Sequence, residues 1–329
     1  MQGQASGGVW FGNQLKKKYG TDIVYITTAI NETGWNIFAA PTHDGVDVCG
    51  RRLADEIRST IKANPSLTHI SLCGLSLGGL IIRYTCGELY ESESGTIGGL
   101  IPLNFVSFAS PHLGVRKTLP GFMGVLGGFI VGNSYHQMTL ADNANKKTCN
   151  TLLERMAGIQ TPECAEACGD KRAYLKALSS FQRRLCIGNV ESDPQVPYPT
   201  ATMVPFFHPA HMPVDRESQY ANIVRIVRNE ELPSNPASID EWFNSVGAEE
   251  LQAERIFEDE SPEYKMLVSI REATSWTRVD TRFEGFMRNF SHDLVAVNKP
   301  AISTAGQGVV QFVVDEMLAP FKTTDLGTA

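Results

Sequence analysis

The chain has 329 residues, a formal net charge of −7 and 42% apolar residues. That is enough for one large α/β domain with insertions, and the acidic balance excludes the basic footprint of a nucleic-acid-binding domain. Seven cysteines, an odd number, show no disulfide framework, and Cys149, Cys164 and Cys168 lack the paired spacing and fourth ligand of a zinc site, so reduced thiols, a cytoplasmic setting and no metal or cofactor are expected.

Residues 1–9 are polar and glycine-rich and read as no secretory signal. Gly8 to Tyr19 predicts a helix, with Lys16, Lys17 and Lys18 on a solvated face. Asp22 to Thr27 predicts a short buried strand, and Val46 to Ala63 an amphipathic helix with Leu53, Ile57 and Ile61 on one face. His69 begins an apolar strand that runs into a tight glycine turn and a helix start. Leu103 to Ala109 is a second buried strand, closed by Ser110-Pro111-His112-Leu113-Gly114. This alternation of strand and helix implies an α/β fold with a mostly parallel sheet flanked by helices.

Residues 115–180 break the rhythm and read as a cap or lid inserted over the sheet. Within them Leu119 to Gly132 is uncharged and apolar, but too short and too glycine-rich to span a bilayer. Its Phe122, Met123, Leu126 and Phe129 are candidates to cover an acyl pocket or dip into a lipid surface. A loop packed in the core is the competing reading. Arg183 to Asn189 resumes the sheet. Residues 205–272 are polar and acidic and read as a surface insertion in a single domain, 1–329. Thr277 to Glu284 alternates as a late strand, Asn289 to Val295 reads as a loop, and Val309 to Leu318 as a closing helix.

Gly74-Leu75-Ser76-Leu77-Gly78 matches the G-x-S-x-G nucleophile elbow, and it stands in the strand-turn-helix context that the motif requires. The turn lifts the Ser76 hydroxyl above the end of its strand. A β-carbon at Gly74 or Gly78 is expected to collide with neighbouring backbone. The following helix aims its free N–H groups at the same spot, so Leu77 N–H is a candidate oxyanion donor.

A serine hydroxyl needs a general base, and the base needs an orienting acid. In this architecture the chain order is Ser, then Asp or Glu, then His, each beyond the carboxyl end of a strand. Asp193 follows the strand ending at Asn189, and His292 follows the late strand. Glu191 is a rival acid; Asp193 is preferred because Pro194 and Pro197 stiffen its loop. His43, His112, His208 and His211 are rival histidines. His112 precedes any candidate acid and reads as a structural loop residue, and Asp293 as a surface charge.

The chain resembles the lipase-like putative serine esterase family of the α/β-hydrolase superfamily, which includes yeast monoacylglycerol lipase-like proteins. The match rests on Gly45 to Ile57, the elbow Gly74 to Tyr84, Ala109-Ser110-Pro111-His112-Leu113-Gly114, and Asn189 to Ala201, entered through Phe181-Gln182-Arg183-Arg184. The resemblance implies Ser76 as nucleophile and supports Asp193 and His292 as its partners, and the expected reaction is cleavage of lipid or other carboxylic esters. Contact at a lipid surface is expected from the apolar run Leu119 to Gly132, and no nucleic-acid partner from the acidic charge. Two positions depart from the family pattern. Leu75 stands where the family has histidine. Gln2-Gly3 stands where the family has an apolar strand ending in His-Gly, so either the sequence begins late or a central strand is lost, and the second oxyanion N–H is expected near Gly3 or Gln4. A catalytically weak hydrolase-fold binding protein and an acyltransferase using the same three residues are the alternatives.

Overall fold

Phe105 and Val106 are adjacent in one strand, both fully buried, and belong to two different hydrophobic clusters. Successive side chains of a strand point to opposite faces, so a strand buried on both must lie inside a three-layer structure. The same split recurs along the sheet: Cys186 and Trp276 pack on the Phe105 side, Leu185, Ile187 and Val279 on the other.

The computed structural model describes residues 5–31, 41–117, 132–143, 149–168, 172–191, 193–207, 219–230, 256–297 and 304–317. In chain order the elements are α1 (Ala5–Tyr19), α2 (Val46–Ala63), β1 (His69–Leu75), α3 (Leu77–Leu89), β2 (Tyr90–Glu91), β3 (Thr96–Ile97) and β4 (Ile101–Phe108). They continue through α4 (Asn133–Met138), α5 (Leu152–Met156), α6 (Pro162–Cys168), α7 (Tyr174–Ser179), β5 (Arg183–Asn189), α8 (Tyr198–Thr202) and β6 (Ile223–Glu230). The last are α9 (Pro262–Ala273), β7 (Trp276–Thr281), α10 (Ser291–Leu294) and α11 (Gln307–Phe312). The main sheet has strand order β1-β4-β5-β7-β6. Its first four strands are parallel and β6 is antiparallel to β7. Helices α2, α3, α7 and α9 share the core on one face; α1 and α11 cover the other. This is the mostly parallel, helix-flanked sheet of the α/β-hydrolase expectation. Because β1, β5 and β7 run the same way, the residues that follow each of them arrive at one edge of the sheet.

Several boundaries differ from expectation. Residues 22–27 form no strand. They keep a two-residue alternation, with Val24 and Ile26 about half exposed at 49% and 47%. A strand needs a ladder partner, and among the described residues β1 pairs only with β4, so no strand lies against its other edge. His292 lies in the short helix α10 rather than in a loop. The stretch 205–272 contributes β6 to the sheet and α9 to the core. Cys149 is disulfide-bonded, against the expectation of reduced thiols throughout. Among the described residues no helix is long and apolar enough to cross a membrane.

Candidate active site

The elbow is held by backbone geometry. Ser76 sits between β1 and α3 with φ 56 and ψ −129, a left-handed conformation that costs a non-glycine residue energy. Two bonds hold it there: Ser76 N–H donates to Phe108 O at the end of β4 (2.8 Å), and Gly79 N–H donates to Ser76 O (3.0 Å). A β-carbon on Gly74 would lie 2.5 Å from the Gly78 carbonyl carbon and oxygen, so the turn can close only around glycine there. The expectation for Gly78 is corrected: a β-carbon there meets nothing within 4 Å. The second tight position is Gly79, where a β-carbon would lie 2.0 Å from Ser110 Oγ. Gly78 instead faces open space and lines the cavity in front of Ser76.

That cavity has a volume of about 240 Å³. Leu77, Ile81, Ile82 and Phe108 line it beside Ser76, and Phe11 and Tyr25 line it from α1 and the segment after it. Its wall is mostly apolar. Leu77, the first residue of α3, has an N–H without an intrahelical acceptor at this mouth. Gly3 and Gln4, the other candidate oxyanion residues, lie outside the described residues, as do Phe122, Met123, Leu126 and Phe129.

Asp193 and His292 meet. His292 Nδ1 stands 3.0 Å from Asp193 Oδ1 and 2.9 Å from Oδ2. Both side chains are almost completely buried. Asp193 Oδ1 also accepts from Gln195 N–H (3.0 Å) and Val196 N–H (2.9 Å), and Oδ2 accepts from Asn189 Nδ2 (3.0 Å). Burial by itself pushes the carboxyl pKa up. The His292 charge and the hydrogen bonds outweigh it and hold Asp193 below the usual carboxylate range. Among the described residues His292 Nε2, which is buried, has no hydrogen-bond partner, so no bond joins it to Ser76 Oγ. Ala296, four residues beyond His292, lines the same cavity as Ser76.

The rivals are placed elsewhere. Glu191 pairs with Arg282 at 3.1 Å. His112 is fully buried, its Nε2 2.8 Å from Ser107 Oγ and its ring against Phe105 and Trp276. Burial, then the charges of Arg83 and Arg271, holds its pKa well below the ordinary imidazole range. His112 is therefore a core residue whose backbone N–H donates to Ser110 O and Thr200 O and whose ring meets the Ser107 side chain. Asp293 is buried, not a surface charge. His208 and His211 lie outside the described residues. Among the described residues no group of three or more His, Cys, Asp and Glu side chains could hold a metal ion. Sequence reasoning missed Asn189 as a neighbour of the acid, since an asparagine at a strand end carries no signal of its own.

A family profile described as Putative serine esterase (DUF676) matches residues 13–204. Curated relatives are similar over about half of the chain. Putative lipase ROG1 of Saccharomyces cerevisiae is 27% identical over 203 residues, 58% of this chain and 27% of that protein. Putative lipase C4A8.10 of Schizosaccharomyces pombe is 29% identical over 168 residues, 49% of this chain and 20% of that protein. The matched region of each relative is therefore about a fifth to a quarter of its length. No solved structure gives a significant match.

Proposed function

The chain belongs to the family described as Putative serine esterase (DUF676), and from that premise we propose that it hydrolyses carboxylic esters, lipid acyl esters in particular, through Ser76, His292 and Asp193. The observation that carries the reading is the buried Asp193–His292 pair at the same sheet edge as a serine in a strained elbow. The apolar wall of the Ser76 cavity supports an acyl group as the part of the substrate that is bound.

In this mechanism Ser76 Oγ attacks the ester carbonyl while His292 Nε2 takes the hydroxyl proton. Asp193 holds the imidazole through Nδ1–H and stabilises the imidazolium. Leu77 N–H faces the developing oxyanion; losing one such donor typically costs about 2.7–4 kcal/mol of barrier. The imidazolium then protonates the leaving alcohol, and an acyl-serine remains. Water, deprotonated by the same Nε2, attacks the acyl-serine, and the proton returns to Ser76 as the acid leaves.

A second reading, a hydrolase-fold binding protein of weak catalytic power, is favoured by one observation: His292 Nε2 makes no bond to Ser76. Catalytic hydrogen bonds are often long without substrate and tighten in the complex. A fluorophosphonate probe separates the readings. The esterase reading expects labelling of the folded chain that Ser76→Ala abolishes, with p-nitrophenyl ester hydrolysis falling about 10⁴-fold or more in the same variant. Folded wild-type protein that neither labels nor turns over favours the binding protein. Hydrolysis that survives Ser76→Ala removes the nucleophile assignment.

A further inference from the structure

The Asp193 carboxylate is saturated. An ionised carboxyl offers about four acceptor sites, and four groups donate to this one: His292 Nδ1, Gln195 N–H, Val196 N–H and Asn189 Nδ2. Two of the four are backbone groups and one is the base itself. Among the described residues, Asn189 is the one side chain besides the base that donates to the acid. Its bond goes to Oδ2, which also receives His292 at the shorter of the two distances, 2.9 Å against 3.0 Å.

Asn189 is itself held. It ends β5, is 1% exposed, and lies in register with Thr281, the last residue of β7. Thr281 Oγ1 stands 2.8 Å from Asn189 Oδ1. An ionised carboxylate only accepts, so the amide must turn Nδ2 to Asp193; that leaves Oδ1 for the threonine hydroxyl to donate to. The carboxylate thus sets which way the amide points, and the paired strand ends, where Thr281 Oγ1 also lies 3.1 Å from Gly188 O, hold the amide against it.

We propose that Asn189, held against Thr281, is a positioning residue that fixes the geometry of Asp193. The proposal rests on the triad reading above. Asn189 touches no reacting atom; it acts through Asp193 on His292. A carboxylate that loses one donor is more basic and holds the imidazolium more strongly, so the base deprotonates at higher pH. It also turns more freely, which disperses the imidazole and lowers the rate.

The test is the pH dependence of ester hydrolysis by the whole chain as Asn189→Ala. The expected result is a fall of about tenfold in kcat, a KM within about twofold, and an acidic limb displaced upward by about half a pH unit. Thr281→Val keeps the shape of the side chain and removes only the hydroxyl; it should shift the limb the same way by less, and it stands in if Asn189→Ala does not fold. An acidic limb unchanged in both folded variants, with any loss of rate tracking a fall in Tm, makes Asn189 merely structural and overturns the proposal. His292→Ala is the control. If His292→Ala is inactive while Asn189→Ala keeps the parental profile, the positioning role alone fails. If His292→Ala remains active, the triad reading and the proposal fall together.

Discussion

Asp193 and His292 are 99 positions apart in the chain, yet both carboxylate oxygens lie within 3.0 Å of one imidazole nitrogen. Neither residue belongs to a regular strand. Each is delivered by a connection beyond a parallel strand, the acid after β5 and the base after β7, and these strands are hydrogen-bonded neighbours. Adjacent parallel strands end side by side, so the loops beyond their carboxyl ends converge.

This pairing makes a sharp contrast with Glu191, two residues before Asp193. Asp193→Asn replaces the oxygen facing Nδ1–H by a group that can favour the wrong tautomer, and a loss of about 10⁴-fold in kcat is expected. Glu191→Gln removes a partly exposed ion pair with Arg282 and should change the rate by less than about threefold. Steady-state kinetics on a short-chain ester decide it; similar losses in the two variants would argue that the acid is not assigned to one residue.

The elbow glycines should respond unequally. Gly79→Ala drives a methyl to 2.0 Å from Ser110 Oγ, and a cost of roughly 1–3 kcal/mol is expected from overpacking. Gly78→Ala meets open space and, lying in α3, should be neutral or gain up to about 1 kcal/mol from helix propensity. Urea midpoints measure both. A destabilised Gly78→Ala beside a parental Gly79→Ala would reverse the assignment of the tight contact.

His112 should show itself in the pH dependence of stability and not in the rate. The pKa of His112 is depressed in the folded chain, so its contribution to stability is present above the ordinary histidine value near 6.5 and is lost as pH falls. Below that value one extra proton bound by the unfolded chain removes about 1.4 kcal/mol per pH unit. Asp193, also depressed, contributes above the ordinary carboxyl value near 4 and is lost only under stronger acid. His112→Asn should therefore flatten the loss of stability between pH 6.5 and 5 and leave the pH dependence of hydrolysis unchanged. Denaturant titrations across that window check the first part. A variant with the parental slope would sink the neutral-core assignment of His112.

Much of the fold is local and was legible. The strand Arg183–Asn189 and the helix Val46–Ala63 have the boundaries expected from the sequence. The elbow could be read because Gly74 answers a contact four residues away, within one turn of chain. Segment 22–27 failed for the opposite reason. Its alternation is that of a strand, but a ladder is a property of two segments, and no pattern within one of them supplies the partner.

By itself, then, the sequence determined the alternation of the sheet, the strained serine, and a short slate of acids and histidines in the right chain order. Tertiary structure decided among them. Arg282 takes Glu191, Ser107 and two aromatic rings take His112, and Asp193 is left facing His292. It also brought in Asn189 and moved the second tight glycine from Gly78 to Gly79. Short-range steric and periodic constraints are written in neighbouring residues. Burial, strand register and the choice of a charged partner depend on residues many tens of positions away, and they exist only once the chain has closed on itself.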